Sequence, residues 1–252
     1  MKRFASLVVC FLVINTYSQE VPSIGYKKFQ LGVNFSSDVC YRTLANNNGE
    51  SIVDGIIDWR NESEISKFGY TTGLNAVYSL KRNISFETGL QFSNKGYQTE
   101  TMDLIYGDQI DPVTGVISPE SSDTKAPTKL KYIYSDYYLE VPVKANFTFG
   151  KRKVRFITSA GIAVNFFIAE TETVVYTYIG GSTKRKDYSS YFSYNIINLS
   201  PTVSFGIDWK ITPKMDLRAE PTIRYGVLKI IDMPVTGYLW NYGLNVGCYY
   251  SL

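Results

Sequence analysis

Histidine is absent from the 252 residues, and with it goes every mechanism that needs an imidazole as base, acid or metal ligand. Of three cysteines, Cys10 falls in the leading apolar stretch. That leaves Cys40 and Cys248, too few for a disulfide framework and without metal-ligand spacing. No apolar run reaches the roughly 20 residues that a membrane-crossing helix needs. A dense basic stripe is missing too: without Lys2 and Arg3, 24 basic residues stand against 23 acidic, so nucleic acid is not an expected partner. Nor does any stretch of eleven or more residues carry a sustained 3.6-residue apolar period bounded by caps.

What is there begins with an export signal. Met1, Lys2 and Arg3 give a positive start, Phe4 to Ile14 an apolar stretch of signal length, and Ser18 before Gln19 a small residue for cleavage. Val9 before Cys10 is too bulky for lipoprotein processing. The chain therefore divides into a signal peptide (1–18), a short segment expected on the periplasmic side (19–27) and one long domain (28–252).

That domain alternates. From Leu139 to Phe149, Leu139, Val141, Val143, Ala145, Phe147 and Phe149 fall on one face and Glu140, Pro142, Lys144, Asn146 and Thr148 on the other, the period of two that marks a strand. Eight such segments can be drawn: 28–39, 68–80, 84–94, 132–149, 154–168, 191–209, 215–225 and 238–252. Short turns at 81–83, 150–153 and 210–214 alternate with long polar connections at 40–67, 95–131 and 171–190, and with a fourth of middle length at 226–237. This rhythm predicts an all-β fold: an eight-stranded antiparallel up-and-down transmembrane β-barrel, with short periplasmic turns and long extracellular loops.

Soluble barrels alternate as well, with the apolar side turned inward; the placement of charge separates the two cases. One register carries Phe29, Leu31, Val33, Phe35, Leu74, Phe86, Leu90, Phe156, Ile162, Phe205, Ile207, Ile223, Leu244 and Val246, with no charge among them. Glu87, Glu140, Lys144, Arg155, Asp208, Asp216, Arg218, Glu220 and Arg224 all fall on the other. A Lys or Arg facing lipid at mid-depth costs roughly 2 to 4 kcal/mol, which accounts for so clean a partition. Aromatics such as Tyr132, Tyr134, Trp209, Tyr225, Tyr238 and Trp240 gather near segment ends, where amphipathic rings sit well between lipid and water. Pro142, Pro201 and Pro221 run against the pattern, since each removes a ladder hydrogen bond; bulges, hydrated gaps or positions near the rim are expected there.

Asn245, Gly247, Tyr250 and the final Leu252 resemble the terminal-strand signature of outer-membrane proteins, which implies handling by the barrel-assembly machinery. A second resemblance rests on Tyr138-Leu139-Glu140-Val141-Pro142-Val143-Lys144, followed by a short turn and Gly161-Ile162-Ala163. This element resembles the PorT-type family of outer-membrane β-barrel domains, in which a Tyr-hydrophobic-Glu-hydrophobic-Pro motif recurs. The likeness continues weakly through Gly206-Ile207-Asp208 and the 218–224 strand. It implies an eight-stranded barrel and, for PorT itself, a part in assembling a protein secretion system. Such a resemblance carries the fold better than the function.

The inward charges Glu87, Glu140, Lys144, Arg155, Arg218, Glu220 and Arg224 form the candidate polar network of the lumen. They offer either an ion path or polar ligand site, or a salt-bridged plug; the narrow interior of eight strands favours the plug. Lys184, Arg185 and Lys186 form a loop cluster that fits lipopolysaccharide phosphates or a simple solvated loop. The acidic residues Asp103, Asp108, Asp111, Glu120 and Asp123 match no calcium-loop spacing. Tyr188, Tyr191 and Tyr194 suit either an adhesive surface or a continued aromatic belt. No cofactor and no catalysis are expected, because Ser-His and Asp-His arrangements are impossible without histidine. The leading expectation is a structural or protein-interaction barrel linked to secretion or envelope assembly, in contact with outer-membrane lipid and lipopolysaccharide and with a protein partner through its long loops or periplasmic rim. The alternative is a narrow channel for ions or small solutes.

Overall fold

The computed structural model describes residues 28–104, 109–110, 117–118, 126–189 and 193–252; the expected signal and the segment after it lie outside them. Along the chain run β1 (Phe29–Asn46), α1 (Ser51–Ser63), β2 (Glu64–Ile65), β3 (Lys67–Lys81), β4 (Ile84–Thr99), β5 (Met102–Asp103), β6 (Gln109–Ile110) and β7 (Ile117–Ser118). Then come β8 (Pro127–Phe149), β9 (Val154–Tyr178), β10 (Thr183–Tyr188), β11 (Ile197–Lys210), β12 (Met215–Tyr225) and β13 (Val235–Ser251).

Eight of these strands close a ring. In the order β1, β3, β4, β8, β9, β11, β12, β13 each pairs antiparallel with the next, and β13 pairs back to β1. Ring neighbours follow one another along the chain, so the connectivity is up-and-down, and closure leaves no free edge around the ring.

Among the described residues the sheet nevertheless holds 11 strands rather than eight. Three regions expected to be loops are structured. Residues 171–178 continue β9, because Thr171-Glu172-Thr173-Val174-Val175-Tyr176 is rich in β-branched and aromatic side chains. Gly180 and Gly181, at φ 88° and 83°, then turn the chain back into β10, which pairs with β9 from Thr183↔Thr177 to Tyr188↔Glu172. The 40–67 connection holds α1, packed by the buried Val53. In the 95–131 connection β5 pairs with β8 at Met102↔Leu130 and Asp103↔Lys129, and β6 with β7.

Pro142, Pro201 and Pro221 produce neither bulges nor shifts of register. At Pro142 the β4–β8 ladder passes from Thr88↔Val143 to Gln91↔Glu140, and at Pro221 the β11–β12 ladder passes from Ser204↔Thr222 to Ile207↔Ala219. Each ladder skips two rows and resumes in the same register, while the strand on the other side stays paired through Pro142↔Ala163 and Pro221↔Leu244. Pro201 likewise pairs with Ile162.

Outside, the apolar register stands exposed around the ring: Leu31, Val33 and Phe35 on β1, Leu74 on β3, Leu90 on β4, Val203 and Phe205 on β11, Leu244 on β13. Inside, the opposite register is buried and polar, with Gln30, Asn34, Ser36 and Asp38 on β1 alone. The apolar core of an ordinary soluble domain is replaced by a small cluster of Tyr138, Ile230 and Leu239, with Phe167 and Ile231 against it, at the loop end. Tyr70, Tyr137, Tyr225, Trp240 and Tyr242 belong to the same end, and Tyr41 meets Trp240 edge-on at 5.8 Å.

Candidate functional site

Near the short turns the lumen is crossed by one ionic cluster. Glu87 on β4, 1% exposed, accepts from Lys144 of the adjacent β8 at 2.8 Å and from Asn146 at 2.9 Å. From β12, diametrically across the ring, Arg218 reaches the same carboxylate at 3.2 Å. The Tyr249 hydroxyl donates to its other oxygen at 3.2 Å, and the Arg218 guanidinium lies over the Tyr249 ring at 4.0 Å. Arg218 also faces Asp208 at 3.7 Å and donates to Gln30 at 3.0 Å. Arg155 pairs with Asp208 and stands 3.8 Å from Asp216.

Tyr249 fits in this cluster because glycine surrounds it. A Cβ on Gly32 would meet its ring at 2.5 Å, and one on Gly247 at 2.7 Å. The absence of side chains at those two positions lets the phenol lie against the wall and turn its hydroxyl toward Glu87.

Above this cluster the lumen is amide-lined: Asn34 donates to Asn245 at 2.9 Å and accepts from Asn75 at 3.0 Å, and Gln91 donates to Asn75 at 2.8 Å. Glu220 takes the Ser159 and Ser204 hydroxyls at 3.1 and 2.9 Å. Arg224 lies 3.3 Å from Asp38, which Ser36 and Thr71 also bond. Glu140 is held by Lys95 at 2.6 Å and by Ser93 at 2.5 Å.

All seven candidate lumen residues thus point inward, but not as one cluster. Glu87, Lys144 and Arg218 meet directly; Arg155 joins them through Asp208, while Glu140, Glu220 and Arg224 have other partners. Asp38, Lys95 and Tyr249 are members that sequence reasoning did not single out. Asp38 was legible, since Gln30, Asn34, Ser36 and Asp38 repeat every second residue. Lys95 keeps the inward parity of Glu87, Gln91 and Ser93, but it lies one residue past the expected strand end. Tyr249 reads as one of several terminal aromatics.

At the loop end, above the apolar cluster, lies a cavity of about 330 Å³ bounded on one side by the α1 region. Arg42 donates to Glu64 at 2.5 Å and to Asn61 at 2.7 Å, and Arg60 donates to Glu64 at 2.6 Å and to the Tyr97 hydroxyl at 2.9 Å. Burial works against the Arg60 charge, yet the bond to Glu64 and the neighbouring Tyr97 outweigh it, so its pKa is raised above the usual guanidinium value. The basic cluster Lys184, Arg185 and Lys186 is exposed on β10, with the Lys186 ammonium 4.8 Å from the Tyr188 ring centre. Tyr194 stacks on Phe167 at 4.8 Å. Asp103 pairs with Lys129 at 3.0 Å; Asp108, Asp111, Glu120, Asp123 and Tyr191 lie outside the described residues.

A closed antiparallel ring that is apolar outside and ionic within is inverted relative to a soluble protein, and it suits a hydrocarbon surround. The model of the family described as "Outer membrane protein beta-barrel domain" matches residues 14–225, and the chain belongs to that family; it is an outer-membrane β-barrel protein. No curated protein matches it. Similar solved structures include OprG from Pseudomonas aeruginosa, at 10% identity over 91% of this chain and 99% of that one with a TM-score of 0.47. Neisserial surface protein A is 14% identical over 89% and 97%, TM-score 0.42. The outer membrane protease OmpT from Escherichia coli is 9% identical over 94% and 100%, TM-score 0.44.

Proposed function

We propose that the protein is a structural and interaction barrel, with its short turns toward the periplasm, its loop end outside the cell and its lumen plugged. The observation that carries this reading is the Glu87–Arg218 contact, which joins opposite walls of the ring. In an eight-stranded interior, side chains that meet across the axis leave no continuous bore. Work at the membrane then falls to the ends of the barrel.

The PorT-like element at residues 138–144 supports a link to secretion or envelope assembly, with a cleaved signal peptide and the barrel-assembly machinery acting beforehand. The exposed cations of β10 suit lipopolysaccharide phosphates. The reading is non-catalytic, on the ground that histidine is absent.

A second reading, a narrow channel for ions or small solutes, draws on the largely polar lining of the lumen. Planar bilayers decide between them. The plugged barrel gives no steady single-channel steps. Conductance that changes in Glu140→Gln or Arg224→Gln overturns the plug and establishes the channel. Crosslinking in whole cells followed by purification tests the interaction role, which fails if the protein is always recovered alone.

A further inference from the structure

The short-turn end of the barrel carries charge that the lumen network does not use. Its three turns read Lys81-Arg82-Asn83, Gly150-Lys151-Arg152-Lys153 and Ile211-Thr212-Pro213-Lys214, with Lys210 leading into the last and Lys28 beside the seam where β1 meets β13. No acid stands in any of these stretches. Seam and turns follow one another at every second strand of the ring, and backbone hydrogen bonds tie each to the next: Ser79 donates to Lys28, Thr148 to Asn83, Lys210 to Lys153 and Ser251 to Lys214, at 2.8, 2.9, 2.7 and 2.7 Å. The cations therefore form a collar around the whole rim, fixed at one height.

Lys28, Lys81, Arg82, Lys151, Lys153 and Lys214 are exposed, and among the described residues none of them pairs with a carboxylate. The acids that adjoin the rim, Asp208 and Asp216, are buried in the lumen beside Arg155. Residues 19–27 bring one acid, Glu20, and one base, Lys27, so they cannot reverse the sign. Even a carboxylate on Leu252 leaves the collar strongly positive.

The height of the collar decides what it meets. Trp209, exposed on the outer face, directly precedes Lys210, and the Lys214 ammonium lies 5.8 Å from the ring centre of the exposed Tyr250. Tyr78, 4.9 Å from Phe29, stands three residues before Lys81. Such rings sit where hydrocarbon gives way to headgroups, and a lysine just beyond them lays its apolar stem along the boundary with its charge at phosphate level. We propose that the collar binds the headgroups of anionic phospholipids in the leaflet that the short turns enter. Close-set cations at a bilayer surface attract such lipids residue by residue. That this is the inner leaflet of the outer membrane rests on the orientation proposed above.

The test uses dibrominated lipids, which quench tryptophan fluorescence on contact. The protein is folded into mixed vesicles with Trp209 as its sole tryptophan, through Trp59→Phe and Trp240→Phe, and in a second version with Trp240, in the loop-end belt, as the sole one. At Trp209, phosphatidylglycerol should bind about fivefold tighter than phosphatidylcholine, a preference absent at Trp240. Lys151→Gln, Lys153→Gln, Lys210→Gln and Lys214→Gln together should abolish it, Lys→Arg changes at the same four positions should keep it, and molar salt should weaken it. Gel migration confirms that each variant is folded. Equal binding of the two lipids at Trp209 would overturn the proposal and give the collar to an acidic protein instead. The same preference at Trp240, or one that survives the fourfold glutamine substitution, would overturn it as well. In whole cells an impermeant maleimide should label Lys151→Cys only once the outer membrane is permeabilised. Labelling of intact cells overturns the orientation and with it the phospholipid source, whereas failure in vesicles overturns the collar alone.

Discussion

Removing the Glu87 carboxylate tests most directly whether the ionic cluster holds the barrel together. In Glu87→Leu, Lys144, Arg218, Asn146 and Tyr249 all lose a partner at once, at 2.8, 3.2, 2.9 and 3.2 Å. Arg218 keeps Asp208 at 3.7 Å and Gln30 at 3.0 Å. Among the described residues Lys144 keeps no carboxylate within pairing distance, and it is left as a buried, uncompensated cation. Stranding one member of a buried pair costs about 3 to 5 kcal/mol, whereas replacing both by apolar groups is often close to neutral. Glu87→Leu should therefore lose about 3 to 5 kcal/mol, and adding Lys144→Met should recover at least half of the loss. Reversible urea unfolding from lipid vesicles, followed by tryptophan fluorescence and gel migration, gives both values. A single mutant within about 1 kcal/mol of wild type, or a double mutant less stable than the single, refutes the argument.

Three further outcomes follow from other parts of the structure. Leu74 is 65% exposed on the outer face, between Val33 and Leu90 in register; Leu74→Arg should cost roughly 2 to 4 kcal/mol in vesicles by the same unfolding assay, and no loss there would mean that this face does not meet hydrocarbon. Gly32→Val places a side chain where 2.5 Å separates the new Cβ from the Tyr249 ring; a loss of about 2 kcal/mol and a changed near-ultraviolet dichroism spectrum are expected, both absent if Tyr249 can relocate freely. Glu64→Gln loosens Arg42 and Arg60 together; trypsin should then cut after Arg60 severalfold faster while the barrel's unfolding midpoint stays put, and an unchanged rate would show that Glu64 does not hold α1.

The sequence carried the ring more clearly than its ends. Alternation survives in segments such as 139–149 because the two faces meet solvents of opposite kind, so each residue reports its side. Beyond the aromatic belts both faces become polar and partly wet, the contrast fades, and the same reasoning took residues 171–178 for loop. Gly180-Gly181 was a turn signal that went unused. In the lumen, residue types announced direction but not partners: Glu140 bonds Lys95, which lies one residue past the expected end of its strand, and Arg218 finds Glu87 only once the ring has closed. Gaps in the ladder at Pro142 and Pro221 were legible in kind, since each proline removes a hydrogen bond, but nothing local reveals that the ladder skips two rows and keeps its register.

The β8–β9 ladder runs from Phe149↔Phe156 to Pro127↔Tyr178, so β9 alone, at 25 residues, is roughly 80 Å long at the usual strand rise. Even inclined at about 40°, such a strand outreaches an apolar band roughly 25 Å tall by more than its own height again. The surplus forms a mast, braced on one side by β10 and on the other by β8, whose tip at Gly180-Gly181 stands well clear of the lipid headgroups. A macromolecule too bulky to approach the bilayer could still grip that tip, and a push there would act on the wall of the barrel as a lever rather than be lost in a slack loop.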